Sequence, residues 1–165
     1  MHVLIDDYNI PKGKALEAIK LIKKTIPYLK KEFSVPKDVE ILLQYRGKDK
    51  DNRITLGEAV RTFGGQYTCI INLNNEGHSI LDTLAHEFTH IEQMYQCRLI
   101  HSSQCFHWME ADKTIKRVDK ATTFKEYRNY PWEIEARKRG RDFNKKYRAV
   151  IDPTIMDRVK KFFGI

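Results

Sequence analysis

The sequence predicts an α+β fold, a small mixed or antiparallel sheet packed by helices. Two patterns carry that prediction: β-branched apolar runs concentrate in the first half of the chain, and apolar residues at helical spacing dominate the second. A chain of 165 residues, 41% hydrophobic and 32% charged, suits one globular domain spanning 1–165.

Val3 to Ile5 reads as a short first strand. Pro11 opens a helix in which Leu16, Ile19, Ile22 and Ile26 recur near the 3.6 period. Pro27 should kink or end it, and Pro36 is its latest boundary. Val39 to Arg46 reads as a strand, Arg53 to Gly65 as a weaker strand with a turn at Gly64-Gly65, and Gln66 to Leu73 as a β-branched strand. A helix runs from Ser79, its N-cap, to about Cys97. Residues 98 to 130 look irregular apart from a possible strand at Cys105 to Met109. Pro131 suits the first position of a helix reaching about Val150, and Asp152-Pro153 starts a last short helix to Phe163.

No run approaches 18 apolar residues, so no membrane span is expected. Three cysteines (Cys69, Cys97, Cys105) without a CxxC pair argue for a reducing compartment, and the expected location is cytoplasmic. The net charge of +8 raises the prospect of weak nucleic-acid association. Its lysines and arginines, however, fall along helical stretches such as Lys20, Lys23, Lys24, Lys30 and Lys31, the pattern of a solvated helix face.

The sharpest chemical signal is His86-Glu87-Phe88-Thr89-His90, an HExxH sequence inside the helix from Ser79. Residues four apart stand about 40° apart around a helix and one turn along it, so two imidazoles at this spacing can reach one Zn2+ ion. Glu87 lies about 100° round from His86, placed to act as general base on the catalytic water rather than as a ligand. Leu81, Leu84, Phe88, Ile91 and Tyr95 form the stripe opposite the histidines, expected to pack on the sheet. Asp82, Thr83 and Gln93 share the histidine side and are candidates to hydrogen-bond the ligands.

A catalytic zinc takes three protein ligands and keeps one open position. Gln93 and Gln96 stand where the extended HExxHxxGxxH motif has its glycine and third histidine, so the third ligand must come from elsewhere. Trp132, Ala136, Gly140, Phe143 and Tyr147 form the buried stripe of the later helix. Glu133 lies about 50° from the centre of that stripe and Glu135 about 110° from it. The small residues Ala136 and Gly140 would let the Glu133 side approach a partner helix, whereas Lys138 and Arg139 follow Glu135 in a solvent-facing ion-pair pattern. Glu133 is the preferred third metal ligand; Glu135, His101 and His107 remain open. His78, His101 and His107 otherwise read as surface histidines.

The segments HEFTHIEQ and YPWEIEAR resemble those of the small HExxH zinc metallopeptidase-like proteins of bacteria and phages, which are gluzincin-like. The resemblance covers roughly residues 79 to 140 and implies a zincin-like fold with a glutamate ligand on a later helix, Glu133 by position. Arg137 departs from the acidic or amide residue usual at its place. A second resemblance, to SprT-like DNA-associated proteases, would draw a histidine ligand from His101-Ser-Ser-Gln-Cys-Phe106, a segment one residue longer than that family's and without its glycine.

These readings imply hydrolysis of peptide or protein substrates. Glu87 would take a proton from water and pass it to the leaving amine, and the edge of the strand Gln66 to Leu73 would hold an extended substrate. Tyr127 and Tyr130, just before the ligand helix, are candidate catalytic donors to the oxyanion. The alternatives are a zinc-binding protein without turnover and a basic nucleic-acid-associated protein.

Overall fold

The computed structural model describes residues 1–5, 10–50, 52–74 and 79–152. The expected last helix after Asp152, and His78, lie outside the described residues. Within them the chain is α+β, with two small sheets and four helices.

The first sheet is mixed. Strand β1 (His2–Ile5) pairs parallel with β2 (Glu40–Gln44), which pairs parallel with β4 (Tyr67–Asn72), and β3 (Gly57–Arg61) closes the order β1-β2-β4-β3 by pairing antiparallel with β4. Helix α1 (Lys12–Glu32) makes the crossover between β1 and β2. It runs through Pro27 and ends only at Glu32, so the proline does not end it. The proline removes one helical donor, while Ile22, Thr25 and Leu29, all fully buried, hold the turns on both sides of it against the core.

Helix α2 (Ile80–Tyr95) is capped by Ser79, whose hydroxyl accepts from the Asp82 N–H at 3.5 Å. It packs on β3 and β4 and also against α1 and α4 (Pro131–Ile151). Leu81, Leu84, Phe88 and Ile91 are buried, as the stripe requires, but Tyr95 is half exposed and meets Tyr67 edge-on. Burial also extends to the polar side, where Thr83, Glu87, Thr89, His90, Glu92 and Gln93 are buried. A helix covered on opposite sides by a sheet and by another helix has little solvent face left.

Residues 98 to 130 are more ordered than their sequence suggests. Strands β5 (Leu99–His101), β6 (Cys105–Met109) and β7 (Ile115–Asp119) form a separate antiparallel sheet, followed by the short helix α3 (Phe124–Arg128). Only β6 was legible: β5 has three residues, and β7 is largely exposed with Val118 its one half-buried side chain. Helix α3 begins on a capping box between Thr123 and Glu126, a T-x-x-E signal present in the sequence.

One hydrophobic cluster joins both regions. It runs from Ile22, Ile41 and Ile71 through Phe88 to Trp108 and Trp132. All three cysteines are free thiols, and no helix among the described residues is long and apolar enough to cross a membrane.

Candidate metal centre

The centre is built where α2 and α4 cross. Gly140 makes that crossing close: a Cβ there would stand 2.8 Å from the Asp82 carbonyl oxygen and 3.6 Å from the His86 Cβ. The stripe Trp132, Ala136, Gly140, Phe143 and Tyr147 is buried along its length. Glu133, two turns before Gly140, is thereby carried to the histidines of α2 with its side chain only 4% exposed.

Three donor atoms converge. Nε2 of His86 and Nε2 of His90 are 3.0 Å apart, Nε2 of His90 is 3.1 Å from Oε1 of Glu133, and Nε2 of His86 is 3.5 Å from Oε2 of Glu133. These residues form a group that can hold a metal ion. Tetrahedral donors around zinc, with bonds of about 2.0–2.1 Å, stand about 3.3 Å from one another, so the spacing fits. Two imidazoles and one carboxylate are also a nitrogen-rich donor set, suited to zinc better than to calcium or magnesium.

The hydrogen bonds behind His90 set its tautomer. Gln93 is fully buried, and its Nε2 donates to the Trp132 carbonyl at 3.3 Å, which turns its Oε1 towards His90. Nδ1 of His90 lies 2.9 Å from that oxygen and so carries the proton. The Nε2 lone pair is left facing the metal position.

Electrostatics follow from burial and neighbours. Burial, reinforced by His90, depresses the His86 pKa to about 4, which keeps that ring neutral and ligand-ready. In the metal-free protein burial would raise Glu133, but the hydrogen bond and charge of a His90 ring protonated at Nε2 as well, together with the Tyr127 hydroxyl, outweigh it and hold the carboxylate ionised; a bound metal would take the place of that Nε2 proton. Burial raises Glu87 to about 7, with Glu133 and Glu58 adding to the rise while His90 opposes it. Glu87 lies in the same cleft but outside the donor group. Its side chain packs beneath Gly57 of β3, where an added Cβ would stand 2.8 Å from Cγ and Oε1 of Glu87 and from Cγ2 of Thr83. The Asn72 side chain pins the approach to β3, donating to the Arg46 and Thr55 carbonyls and accepting from the Arg46 N–H.

Comparison with known families, curated proteins and solved structures finds no match. The geometry alone therefore carries the functional argument.

The candidates outside the triad separate clearly. Glu135 is not at the centre: both its oxygens take the Arg98 guanidinium, at 3.0 and 2.7 Å, and Arg98 also lies over the Trp108 ring. Its expected pairing with Arg139 is reduced to a 4.0 Å approach, because Arg139 pairs with Glu92 of α2 instead. His101 lines the cleft, with its ring edge-on to Phe106, but does not join the donor group. His107 pairs with Arg117 in the second sheet and does not line the cleft.

Tyr127 reaches the centre; Tyr130 does not. The Tyr127 hydroxyl donates to Oε1 of Glu133 at 2.5 Å, and its pKa is pushed far up by burial and by the Glu133 charge, so the proton stays on it. Tyr130 donates instead to the Asp119 carbonyl at 2.6 Å while its ring packs on Trp132 and Phe106. A hydroxyl committed to a strand end makes a structural bond, so Tyr130 is not placed to donate to an oxyanion at the centre. The strand within Gln66 to Leu73 has no free edge to hold a substrate. Strand β4 is interior, flanked by β2 and β3, so the edge beside the cleft belongs to β3. Sequence reasoning missed Gly57, for which HExxH gives no cue.

Proposed function

We propose that this protein is a zinc-dependent metallopeptidase with a zincin-like, gluzincin-type centre. The observation that supports the reading is the convergence of His86, His90 and Glu133 on one point, with Glu87 buried beside them in an open cleft of about 1630 Å³. When bound, zinc would supply a Lewis acid and lower the pKa of a water to about 7.

The chain's own residues supply the rest. Glu87, buried beside the donor group yet outside it, accepts the proton of the attacking water and delivers it to the leaving amine. Glu133 is held by the Tyr127 hydroxyl on one oxygen, with Arg137 3.8 Å from the other. We assign Tyr127 to positioning that carboxylate, since its proton is committed there. The open edge of β3 offers main-chain groups to an extended peptide beside Glu87. A buried general base has no purpose at a purely structural metal site, which favours an enzyme over a metal-binding protein without turnover.

The test is metal content together with digestion of a proteome-derived peptide library. We expect about one zinc per chain in the wild type, lost in His86→Ala. Glu87→Gln should keep its zinc and cleave more slowly by a factor of about 10² to 10⁴. Full zinc occupancy in His86→Ala, or unchanged cleavage by zinc-loaded Glu87→Gln, would overturn the proposal.

A further inference from the structure

The chain's positive charge divides into two populations. The lysines of α1, including Lys20, Lys23 and Lys24, are exposed and away from the cleft. A second set lines the cleft itself: Lys48, Arg61, Lys120, Arg128 and Arg141. These five come from separate places in the fold, namely the loop after β2, the end of β3, the segment after β7, the end of α3 and the middle of α4. All are exposed, and none has a carboxylate within 4.0 Å among the described residues.

The seven lysines and arginines lining the cleft outnumber its five carboxylates, Asp49, Glu58, Asp82, Glu87 and Glu133. Asp49 is paired with Arg53, Glu58 with Arg46, and Glu133 with the histidines and Arg137. These five cations, without a carboxylate partner among the described residues, converge from five places in the fold on one concavity and raise its positive potential, which attracts ligands of negative charge. Helix-face lysines, by contrast, sit in a row on one element and are explained by solvation.

We propose that the cleft selects polypeptide segments rich in aspartate and glutamate around the bond to be cleaved. This rests on the peptidase reading and names its substrate class. A peptide is favoured over nucleic acid by what else lines the cleft. The edge of β3 presents backbone groups that pair with another backbone, and Leu99, Ile100 and Phe106 give an apolar wall for side chains. Glu58 and Glu87 on the same side would repel a continuous phosphate backbone, whereas a peptide can place its carboxylates selectively.

The experiment is fluorescence anisotropy with three labelled probes of matched length: an acid-flanked peptide, its Asn/Gln counterpart, and a single-stranded DNA. Each is titrated against the full chain with zinc added and again after chelation, and cleavage of both peptides is followed in parallel. The acidic peptide should bind at least about tenfold more tightly than the neutral one at low salt, and the difference should shrink as salt screens it. Lys120→Gln/Arg128→Gln/Arg141→Gln should remove most of that preference, Lys120→Arg/Arg128→Lys/Arg141→Lys should retain it, and Lys20→Gln/Lys23→Gln/Lys24→Gln should leave it unchanged. Equal binding of the two peptides, an equal loss in the α1 variant, or DNA binding tighter than the acidic peptide would each overturn the inference. Cleavage without acidic preference sinks this inference alone. Acidic preference without cleavage supports it and counts against the peptidase reading.

Discussion

Gln93 accepts the Nδ1 proton of His90 at 2.9 Å while its own amide donates to the Trp132 carbonyl at 3.3 Å. The carbonyl at the start of α4 thus decides which nitrogen of a histidine on α2 faces the metal position. The helix that brings Glu133 also orients His90. Ligand set and ligand tautomer are fixed by one helix crossing, and the consequences can be measured.

Gln93→Leu removes the acceptor and takes the side-chain donor away from the Trp132 carbonyl. Zinc affinity, read by chelator competition, should fall by about 10- to 100-fold, the usual loss for a partner behind a ligating histidine. Gln93→Glu restores the acceptor and should recover part of that affinity. An unchanged affinity in Gln93→Leu would mean that His90 needs no such support.

Glu133 and Glu135 are two residues apart and should fail in different ways. Glu133→Gln should strip zinc retention, while Glu135→Gln should leave zinc content unchanged and cost about 1 kcal/mol of stability through Arg98. Burial would raise the Glu135 pKa, but the Arg98 hydrogen bonds and charge outweigh it and hold it below the usual carboxylate value. A carboxylate depressed in the folded state adds stability above its unfolded pKa and loses it as pH falls through the folded one. The stability gap between wild type and Glu135→Gln should therefore close on acidification, as urea unfolding at several pH values would report.

Glu87 shifts in the opposite direction, and so does its linkage. With its pKa raised from 4.5 to about 7, the metal-free folded protein keeps the proton after the unfolded chain has released it. Stability should fall progressively between those values as pH rises, then level off. Glu87→Gln lacks this loss, and at pH about 8 the metal-free variant should be more stable than the metal-free wild type by about 3 kcal/mol. Parallel stability curves for the two proteins across that window would show that Glu87 ionises freely in the fold.

Gly57→Ala tests the packing over the base. Its methyl would meet Glu87 and Thr83 at 2.8 Å, so something must move, at a cost of about 1–3 kcal/mol. Because the contact is with Glu87 itself, peptide hydrolysis should drop further than stability or zinc content does. Wild-type turnover in Gly57→Ala would show that the base tolerates displacement.

How far the sequence reached depends on how local each feature is. The spacing of His86 and His90, the cap at Ser79, and the stripe from Trp132 to Tyr147 are properties of single helices, where 100° per residue fixes which side chains share a face. The same arithmetic separated Glu133 from Glu135 by their angle to the buried stripe. It failed at Tyr95, because a stripe predicts which side faces inward and not where the covering element stops. Strand β7 escaped because a mostly exposed strand carries no apolar alternation to read.

What only the tertiary structure decided are the relations between elements far apart in sequence. The order β1-β2-β4-β3 makes β3, not β4, the edge beside the cleft. Gly140 admits the Asp82 carbonyl, Gly57 admits Glu87, and Arg98 claims Glu135. The α1 lysines stay on a solvated helix face, while a second set of cations from five other places in the fold lines the cleft. Sequence periodicity determines the direction in which a residue leaves its own helix or strand. Which partner waits in that direction is set by how close two backbones can pack, and that distance is a property of the small residues of both elements together.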